Sequence, residues 1–379
     1  MDCQTASLMP VGNSESSLAE FVFQYGCQPD SYLATAPGRR VFWSQHGRGL
    51  VSYAVSGRYV LVSGGLICPA DERENLLMQF LQYCAGYQWR VIFFFIPEDC
   101  IDVFRRLGCY TTKIGEESVL DLEQLTFCGR PWEWVRRQVN YCRRHHVTFR
   151  EVDREKYSEV EWQRFELELR AVCESSMTQK AQQMELQFLD GTIDGHALGH
   201  RRLFIAETCV NGISRIEGYV VCNPLMAGMS WAAEIYRHRH DSVRGTIAYL
   251  FHQIALQLKQ EGVLQFSLCL APGQNCEQHV PHERPIVRRM ILLLRDRGSA
   301  FFDMQGICYF KSRFRPRYQN CYICSPAVSD RFPLLVAVGG LLATLRVLGL
   351  LRVSPRQLWK MWRLGRNRKR PVEDVASNS

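Results

Sequence analysis

MSWAAEIYRHRHDSVRGTIAYLFHQIALQLKQEGVLQFSLCLAPG, residues 229–273, is the stretch that decides the fold. It opens with a short, mostly apolar segment that ends in charge (230–237), as a strand does when it runs into a functional site. A polar turn then closes on Gly245, and residues 246–260 repeat apolar side chains at helical spacing. Residues 263–270 have the pattern of a second strand. This order predicts a βαβ crossover, which places the N-terminal N–H groups of the helix at the carboxyl edge of a sheet.

The same order of elements occurs twice along the chain. Residues 41–69 alternate apolar and polar side chains around glycines, which predicts an antiparallel meander. An amphipathic helix (71–85) and an apolar run typical of a buried strand (90–97) follow. Residues 203–225 repeat the meander, and residues 229–273 repeat the helix and the buried strand. The sequence therefore predicts an α/β (α+β) fold built from an internal duplication of one unit.

Charge and composition restrict the kind of partner. With 46% apolar and 22% charged residues, the 379-residue chain has a globular composition and is long enough for two domain cores. The net charge of +8 lies at the end of the chain. Residues 331–370 contain ten Lys or Arg and no acid, and the only charged residues after them are Glu373 and Asp374. The globular part is neutral overall, so any contact with a polyanion must be local.

The sixteen cysteines show no disulfide-framework spacing, and the first residues are polar rather than typical of a cleavable signal peptide. We therefore expect a reducing, cytoplasmic environment. Cys321 and Cys324 form a CxxC pair, but a structural zinc site needs a second pair and none is nearby. No metal is predicted, and the two cysteines are expected to face the same way on a strand.

A basic helix is predicted to connect the two halves, PWEWVRRQVNYCRRHH at residues 131–146, opened by a proline near its first position. Its arginines are interleaved with Trp132, Trp134 and Tyr141. Two interpretations stay open: a solvated charged face, or a local contact with a polyanion, because guanidinium groups bind phosphate bidentately and aromatic rings stack on bases. The arginines concerned are Arg136, Arg137, Arg143 and Arg144.

The last 51 residues (329–379) are an apolar segment followed by a polybasic one. Residues 333–351 carry a single Arg and are just long enough to cross a bilayer, which needs about 20 residues. The domain before them and the basic flank after them both have cytosolic character, and one span cannot keep both on the same side. We therefore expect a re-entrant or interfacial hairpin turning near Gly339 and Gly340, with a buried C-terminal helix as the alternative.

Four short motifs occur in an order and spacing similar to those of a known family. They are KIGEESVLDL (113–122), EIYR (234–237), LCLAP (268–272) and FKSRF (310–314). They resemble K-I-G-E-E-A-x-x-D-L, D-L-M-R, L-G-M-A-P and F-K-x-K-F of the cytosolic synthase domain in the phosphatidylglycerol lysyltransferase family, whose members are aminoacyl-tRNA-dependent aminoacyl-lipid synthases. The resemblance covers roughly residues 35–325.

The resemblance implies two tandem GNAT-like acyltransferase units, in agreement with the duplication, followed by a membrane-associating helical tail. The turn at Arg244 and Gly245 resembles the phosphate-cradling turn of the GNAT fold. A plain βαβ turn without a nucleotide is the alternative. The implied organisation is a polar N-terminal arm (1–30), a first GNAT-like domain (31–130), the basic connecting helix (131–146), a second, catalytic GNAT-like domain (147–328) and the membrane-associating tail (329–379).

The activity implied by the resemblance is transfer of an aminoacyl group from aminoacyl-tRNA to a headgroup hydroxyl of a phospholipid such as phosphatidylglycerol. Charged tRNA would be the co-substrate, and no other cofactor is expected. The partners would be charged tRNA, for which Arg136, Arg137, Arg143 and Arg144 are the candidate contacts, and an anionic phospholipid membrane. The expected location is cytoplasmic, peripheral on the inner face of the cell membrane, and the oligomeric state stays open.

The motifs place the candidate catalytic residues in the second half. Glu234 stands where the family has Asp, and Tyr236 stands where it has Met, so the amino acid and the acceptor stay open. A carboxylate suits the cationic α-amino group of an aminoacyl ester, so Glu234 is predicted to hold it, and Arg237 is predicted to bind phosphate. Lys311 is predicted to face the developing oxyanion or the lipid phosphate. The predicted substrate-binding residues are Arg313, Tyr236, Arg244 and Gly245.

Other readings of these residues remain. An ion-pair network that stabilises the edge of the sheet would also explain Glu234, Arg237 and Lys311. His238 and His240 are candidate proton acceptors, although loop histidines are commoner. Glu116 and Glu117 are predicted to make structural contacts between the halves, and residues 301–324 to supply the last strands. No Ser–His or Cys–His arrangement offers a covalent nucleophile, so direct attack on the ester is expected.

Three other functions are compatible with the sequence. The first is aminoacyl-tRNA-dependent transfer to a small soluble acceptor, against which the tail counts. The second is acyl-CoA-dependent N-acyltransfer through the turn at Gly245, which lacks a Q-x-x-G-x-G pattern. The third is a membrane-binding module without catalysis. Lipid extraction after incubation with charged tRNA would separate the first from lipid aminoacylation, and CoA binding would identify the second.

Overall fold

The computed structural model describes residues 15–179, 198–210, 212–297, 303–327 and 333–347. In the first half the helices and strands are α1 (Glu15–Tyr25), β1 (Arg40–Trp43), β2 (Leu50–Ser56), β3 (Tyr59–Val62), α2 (Arg73–Gly86), β4 (Arg90–Pro97), α3 (Ile101–Arg106) and β5 (Cys109–Asp121). After α4 (Glu133–Arg144), the second half contains β6 (Thr148–Val152), α5 (Glu159–Gln179), β7 (Arg202–Val210), β8 (Ile213–Leu225), β9 (Ser230–His238), α6 (Thr246–Gln260), β10 (Gln265–Pro272), α7 (Pro285–Arg297), α8 (Met304–Ser312), β11 (Arg317–Pro326) and α9 (Pro333–Val347).

The eleven described strands form one sheet in the order β1-β2-β3-β4-β11-β5-β10-β9-β8-β7-β6. The pairs β3–β4 and β9–β10 are parallel, and each is connected by a helix, α2 or α6. The other described ladders are antiparallel. The βαβ crossover predicted for residues 229–273 is therefore confirmed, as is the mixed α/β class.

The two units exchange their last strands. β11, from the end of the second half, lies between β4 and β5 of the first half, and β5 pairs on its other side with β10. The predicted domain ranges 31–130 and 147–328 each contribute a strand to the neighbouring unit. The sheet is continuous through the centre, so side chains on β5 are neighbours of those on β10.

A shared irregularity supports the internal duplication. The ladder of β3 with β4 ends at Phe93, and the ladder of β9 with β10 ends at Ser267. Two residues further along, Phe95 and Cys269 both have positive φ, 59° and 63°. A non-glycine residue in this region is uncommon, so its occurrence at the same step of both units indicates one inherited strand geometry.

The N-terminal segment differs from the prediction of a loose polar arm over residues 1–30. Residues 15–25 form α1, and Val22 is buried in a cluster with Leu50 and Ile67. The reason is that Leu18, Phe21, Val22 and Tyr25 recur at helical spacing and bury one face of the helix. Residues 1–14 lie outside the described residues.

Part of the stretch predicted as the last strands is helical. Residues 304–312 form α8, and the Asp303 carboxylate caps it by accepting from the Gly306 N–H at 2.9 Å. The prediction of strands was wrong here because Phe310 and Phe314 recur at helical rather than alternating spacing. Both pack into the core with Phe251.

In the tail, a helix covers the predicted turn. α9 runs through Gly339 and Gly340, so the hairpin predicted there is wrong. The two glycines instead allow close approach to Tyr59, whose hydroxyl would lie 2.4 Å from a Cβ at Gly339 and donates to the Val336 carbonyl at 3.0 Å. In the parts of the chain that the structure describes, we find no helix that combines the length and apolarity needed to cross a bilayer. Residues 348–379 lie outside the described residues.

Candidate active site

The strands β9 and β10 part at the centre of the second unit. Their ladder covers Ser230–Ala232 against Gln265–Ser267 and stops there, although β9 continues to His238 and β10 to Pro272. Loss of pairing between two adjacent parallel strands opens the sheet at this point. The candidate catalytic residues lie around this opening.

A bulge in β9 orients Glu234. In the ladder with β8, Ala233 pairs with Cys222 and Ile235 pairs with Val221, so Glu234 is the extra residue. Ala233 belongs to the core under α6, and Ile235 to the core under α5. Alternation from Ala233 places Glu234 on the α5 face, and the extra residue of the bulge keeps Ile235 on that same face. Glu234 is partly buried and accepts a short hydrogen bond from the Asn223 side-chain amide.

A second bulge lies opposite, in β10. The ladder with β5 shifts between Ser267 and Leu270, and Cys269 in this bulge has positive φ. The Cys269 thiol lies 3.2 Å from the Ala233 carbonyl, so it contacts β9 across the opening. Bulges of this kind commonly redirect side chains next to functional sites.

Lys311 reaches the same opening from α8. Its neighbour Phe310 packs on Phe251 in the core under α6, which fixes the end of the helix. The Lys311 side chain is 3% exposed and donates from Nζ to the Leu270 carbonyl at 2.7 Å. A buried ammonium beside the β10 bulge is therefore part of the site rather than of the outer surface.

Hydrogen bonds bring these groups together beside Cys269. The Ser267 hydroxyl accepts from the Cys269 N–H at 2.9 Å and donates to Glu117, and Lys311 donates to the carbonyl of the next residue, Leu270. Burial raises the pKa of the Cys269 thiol, Lys311 lowers it, and the carboxylates of Glu117, Glu234 and Asp30 raise it. Charged side chains from β5, β9, α8 and the N-terminal segment thus act on one partly buried cysteine. The raised pKa keeps Cys269 a neutral thiol, and a neutral thiol is a poor nucleophile.

Glu117 was predicted to have a structural role but lies within this group. Its carboxylate accepts from the Ser267 hydroxyl at 2.5 Å, on the face of the sheet opposite the buried Leu120. Burial raises the pKa of Glu117, whereas the Ser267 hydrogen bond and Lys311 lower it. Its neighbour Glu116 points the other way, into an ion pair with Lys113 (2.6 Å). Only the strand exchange, which sets β5 against β10, gives Glu117 this position.

Asp30 was not predicted from the sequence. The segment after α1 crosses between the units, with the Pro29 carbonyl accepting from the Asn223 amide (2.8 Å) and Asp30 Oδ2 accepting from the Gly64 N–H (2.7 Å). Burial raises the pKa of Asp30 to about 6. Burial lowers the pKa of Arg39, and the carboxylates of Asp30 and Glu234 raise it. No signal in the local sequence separates this aspartate from a surface one.

The other predicted residues on β9 occupy different surroundings. Arg237 is 7% exposed and lies, by strand alternation from Ile235, on the same face as Glu234. Its guanidinium donates to the Tyr236 carbonyl at 3.0 Å. The Tyr236 ring packs against Phe251 under α6, so it lies on the opposite face from Glu234.

The turn at the start of α6 is covered by α4. Gly245 has φ 89°, and a Cβ there would lie 2.7 Å from Oε1 and 3.0 Å from Cβ of Gln138. The Cys142 thiol lies 3.5 Å from the Arg244 carbonyl, and the buried Glu217 accepts from the Val243 N–H at 3.3 Å. A packed helix and a carboxylate are unfavourable to a pyrophosphate at this turn. The structure therefore accounts for Gly245 through helix packing.

The predicted arginines of α4 divide into three kinds. Arg136 donates to the carbonyls of Phe127 (3.1 Å) and Gly129 (2.5 Å), which fixes the preceding loop. Arg137 is exposed and pairs with Glu133 at the start of the helix. Arg143 and Arg144 are exposed at its far end.

The remaining candidates lie near, but not in, the opening. Arg313 stacks over Trp134, with its guanidinium carbon 5.4 Å from the ring centre. His238 Nδ1 lies 2.8 Å from the Arg239 carbonyl, and His240 Nδ1 lies 2.8 Å from the Ser175 hydroxyl. Both histidines therefore serve the loop after β9.

Cys321 and Cys324 do not face the same way, so that prediction is wrong. Glu117, Asp30 and Cys269 act on the pKa of Cys321, whereas Cys109 and Cys100 act on that of Cys324. The reason is that side chains three residues apart on a strand point to opposite faces. Across the described portion of the chain, no group of three or more His, Cys, Asp or Glu side chains is arranged to hold a metal ion.

Comparison with known proteins agrees with this architecture. The family model "Phosphatidylglycerol lysyltransferase, C-terminal" matches residues 20–325. The chain belongs to this family. Among its relatives, phosphatidylglycerol lysyltransferase of Bacillus subtilis is 22% identical over 324 residues, covering 83% of this chain and 35% of the relative. The enzyme of the same name from Staphylococcus aureus is 19% identical over 304 residues, covering 80% of this chain and 35% of the relative.

The fold of the family is seen in a solved relative. The structure of L-PGS from Bacillus licheniformis superposes with a TM-score of 0.73 at 21% identity, covering 89% of this chain and 97% of that one. The family match extends from α1 to the end of β11, so both exchanged strands lie inside it. The chain spans about a third of the length of the curated relatives it matches.

Proposed function

We propose that this chain transfers an aminoacyl group from aminoacyl-tRNA to a headgroup hydroxyl of a phospholipid such as phosphatidylglycerol. Membership in the family supports the lipid acceptor, because its named relatives are phosphatidylglycerol lysyltransferases. The observation that carries the proposal is the placement of Glu234, Glu117 and Lys311 by hydrogen bonds to Asn223, Ser267 and the Leu270 carbonyl, on the strands that border the opening between β9 and β10. Carboxylates suit the ammonium of an aminoacyl ester, and a buried ammonium suits a developing oxyanion.

The reaction is a direct transesterification. The lipid hydroxyl oxygen attacks the carbonyl carbon of the aminoacyl ester and forms the new ester bond. The bond to the terminal ribose oxygen breaks, and the proton of the attacking hydroxyl ends on that ribose oxygen. No redox change occurs and no enzyme-bound acyl group is needed, which agrees with the neutral Cys269 thiol. The ester is already activated, so the protein mainly supplies orientation and charge stabilisation.

Each side chain has a role that follows from its position. Glu234 and Glu117 share one face of the sheet and hold the cationic amino group of the aminoacyl ester. Lys311, held to the Leu270 carbonyl, stabilises the charge that develops on the carbonyl oxygen. Arg237, on the face that carries Glu234, pairs with phosphate of either substrate.

Helices α7 and α9 support peripheral association with an anionic membrane on the cytoplasmic side. The two helices contact each other and expose apolar side chains. A surface of this kind, next to a polybasic segment, is typical of interfacial binding. The exposed residues are Leu293, Leu294, Leu334, Leu335, Val338 and Leu342.

The acyl-CoA alternative receives less support. The turn expected to cradle a pyrophosphate is packed against Gln138 and carries the carboxylate of Glu217. Transfer to a small soluble acceptor uses the same site, and it is separated from the main proposal by the chemical identity of the product.

Mass spectrometry of lipids from cells expressing the chain tests the proposal. We expect aminoacylated phosphatidylglycerol with the wild-type chain and at least a 100-fold loss with Glu234→Gln or Lys311→Met, because the charge stabilisation is removed. Glu123→Gln, which changes an exposed loop acid, is the matched control. Wild-type lipid products from both site variants, with unchanged folding, would refute these roles. A soluble aminoacylated product in place of the lipid would establish the alternative.

A further inference from the structure

Asn223 of β8 holds the side chain of Glu234. It is fully buried and lies directly across the ladder from Ala232, two residues before Glu234. Its amide nitrogen donates to a carboxylate oxygen of Glu234 and, at 2.8 Å, to the Pro29 carbonyl. Both N–H groups of the amide are therefore used. A carbonyl and an ionised carboxylate can only accept, so these two partners fix which end of the amide faces them.

Pro29 is itself held in place from outside β8. It belongs to residues 26–31, a short segment that crosses between the two units. The first residue of this segment accepts at its carbonyl from the Met226 N–H at 2.7 Å, and the last donates from its hydroxyl to the Gly64 carbonyl at 3.0 Å. The segment is thus bonded to both units. One of the two partners of Asn223 is therefore a fixed carbonyl that does not belong to its own strand.

The oxygen of the Asn223 amide is unsatisfied. Asn223 Oδ1 is buried and has no hydrogen-bond partner among the residues that the structure describes. A buried acceptor without a donor destabilises a fold, and an apolar side chain of similar size would avoid this cost. Stability alone therefore does not account for an amide at this position. The bonds on its nitrogen do, because one of them holds a carboxylate of the candidate site.

Glu234 depends on such a partner because it is the extra residue of the β9 bulge and has no regular place in the ladder. A hydrogen bond donated to a carboxylate favours its ionised form and fixes its rotamer. A cation also acts on this group, since burial lowers the pKa of Arg39 whereas the Asp30 and Glu234 carboxylates raise it. The amide adds a directional contact that a nearby charge does not supply.

A second buried pair in the same unit gives a contrast. The Thr208 hydroxyl donates to the Glu217 carboxylate at 2.8 Å, and both residues are buried. The same carboxylate accepts from the Val243 N–H at 3.3 Å, which fixes the turn before α6. This pair resembles Asn223 and Glu234 in chemistry, but it lies at the helix turn rather than at the opening between β9 and β10.

We propose that Asn223 is a positioning residue for the transfer reaction, because it keeps the Glu234 carboxylate ionised and in one orientation toward a cationic amino group. This inference rests on the proposed function. It assigns a role to a neutral residue outside the four sequence motifs, and it makes the crossing segment of residues 26–31 part of what orients the site.

The pH dependence of lipid aminoacylation by the full chain on phosphatidylglycerol vesicles tests the inference. Asn223→Ala should lower kcat/KM about ten- to 100-fold, as expected for loss of a hydrogen bond to a charged group. It should also move the acidic limb of the kcat/KM profile up by about one pH unit, because the ionised carboxyl loses a donor. Thr208→Val is the matched control. It removes a buried hydrogen bond to another carboxylate and should lower stability without moving the limb.

A second measurement does not depend on activity. In Asn223→Asp two carboxyl groups are in contact and cannot both ionise easily, so the variant should lose stability relative to wild type as the pH rises from 4 to 7. Part of this loss comes from burial of the new carboxyl alone. The same substitution in the Glu234→Gln background measures that part, and the loss there should be at least about ten-fold smaller in the folding equilibrium constant.

The outcomes separate this inference from the proposed function. An acidic limb that Asn223→Ala leaves in place, or that Thr208→Val moves equally, overturns the positioning role even where lipid transfer proceeds. An equal loss of stability by Asn223→Asp in both backgrounds overturns the contact itself. Coupling between Asn223 and Glu234 in a chain that produces no aminoacylated lipid supports the hold on Glu234 and refutes the proposed acceptor.

Discussion

Glu116 and Glu117 show how adjacent identical residues acquire different roles. Both are carboxylates in the KIGEE stretch, and nothing in their local sequence distinguishes them. Strand alternation sends Glu116 to Lys113 and Asn275, and Glu117 to Ser267 and the active-site opening. The predicted structural role therefore applies to Glu116, whereas Glu117 joins the candidate site.

Glycine is required immediately before this pair for a steric reason. A Cβ at Gly115 would lie 2.4 Å from the Ala271 carbonyl oxygen, which is backbone and has little room to move. The close approach of β5 and β10 is the contact that brings Glu117 to the opening. The glycine of the motif thus has a structural role that supports the site.

Asp30 should make the stability of the protein depend on pH. Burial raises its pKa from 3.8 to about 6, so the folded state binds this proton more tightly than the unfolded state does. The stabilisation is complete below pH 4 and is lost as the pH rises through 6, and it amounts to about 3 kcal/mol. Chemical unfolding of wild type and Asp30→Asn across this range measures it.

Comparing the variant with wild type isolates the contribution of Asp30, because all other groups titrate in the same way in both proteins. The unfolding free energy of Asp30→Asn relative to wild type should increase by up to about 3 kcal/mol between pH 4 and pH 7. A constant difference over the range would show that Asp30 is ordinarily solvated in the folded state.

At the scale of elements, the contact of α4 with α6 decides what the Gly245 turn does. Gly245 and Gly262 flank the same helix and both have positive φ, 89° and 80°. A Cβ at Gly245 would meet Gln138 of α4, whereas a Cβ at Gly262 would meet nothing within 4 Å. The two glycines therefore separate the cost of the backbone conformation from the cost of helix packing.

Gly262→Ala should destabilise the protein by about 1–2 kcal/mol, the cost of a left-handed alanine. Gly245→Ala should cost a further 1–3 kcal/mol, because it overpacks against Gln138. Thermal or chemical unfolding measures both, and Gln138→Ala in a double variant should relieve the share of the second part that comes from Oε1. Equal effects of the two single variants would mean that α4 does not press on the turn.

Several elements were predictable because their signal is local. The helix predicted over residues 71–85, the strand predicted over residues 90–97 and the βαβ crossover carry clear periodicity, and the structure confirms them, with the helix at Arg73–Gly86. α8 was mistaken for strand because it is short and aromatic. A turn was predicted at Gly339 and Gly340, because a pair of glycines in an apolar segment is compatible both with a turn and with close packing of a helix.

At the scale of the whole molecule, the exchanged strands make each unit depend on the other. β11 fills the space between β4 and β5, so its removal would expose the edges of two long strands at the centre of the sheet. Exposed central edges promote aggregation. Neither unit has its full set of paired strands without the other half.

A chain ending at Ala327 should therefore unfold cooperatively, since it keeps all eleven described strands. A chain ending at Pro316 lacks β11 and should be insoluble or lack a cooperative transition. Circular dichroism during thermal unfolding, with solubility after expression, distinguishes them. A shared unfolding midpoint for the two chains would contradict the role given to β11.

The sequence by itself determined the duplicated α/β order, the family resemblance and the motif residues Glu234 and Lys311, because these depend on local periodicity and short patterns. Only the tertiary structure decided which groups meet: Glu117, Glu234 and Lys311 border the opening between β9 and β10, and the segment that carries Asp30 bonds to Asn223, the partner of Glu234. The physical reason is that pairing of β5 with β10, and of β11 with β4, joins strands far apart in the chain. Which distant strands pair is settled by packing over the whole sheet, and no local pattern encodes it.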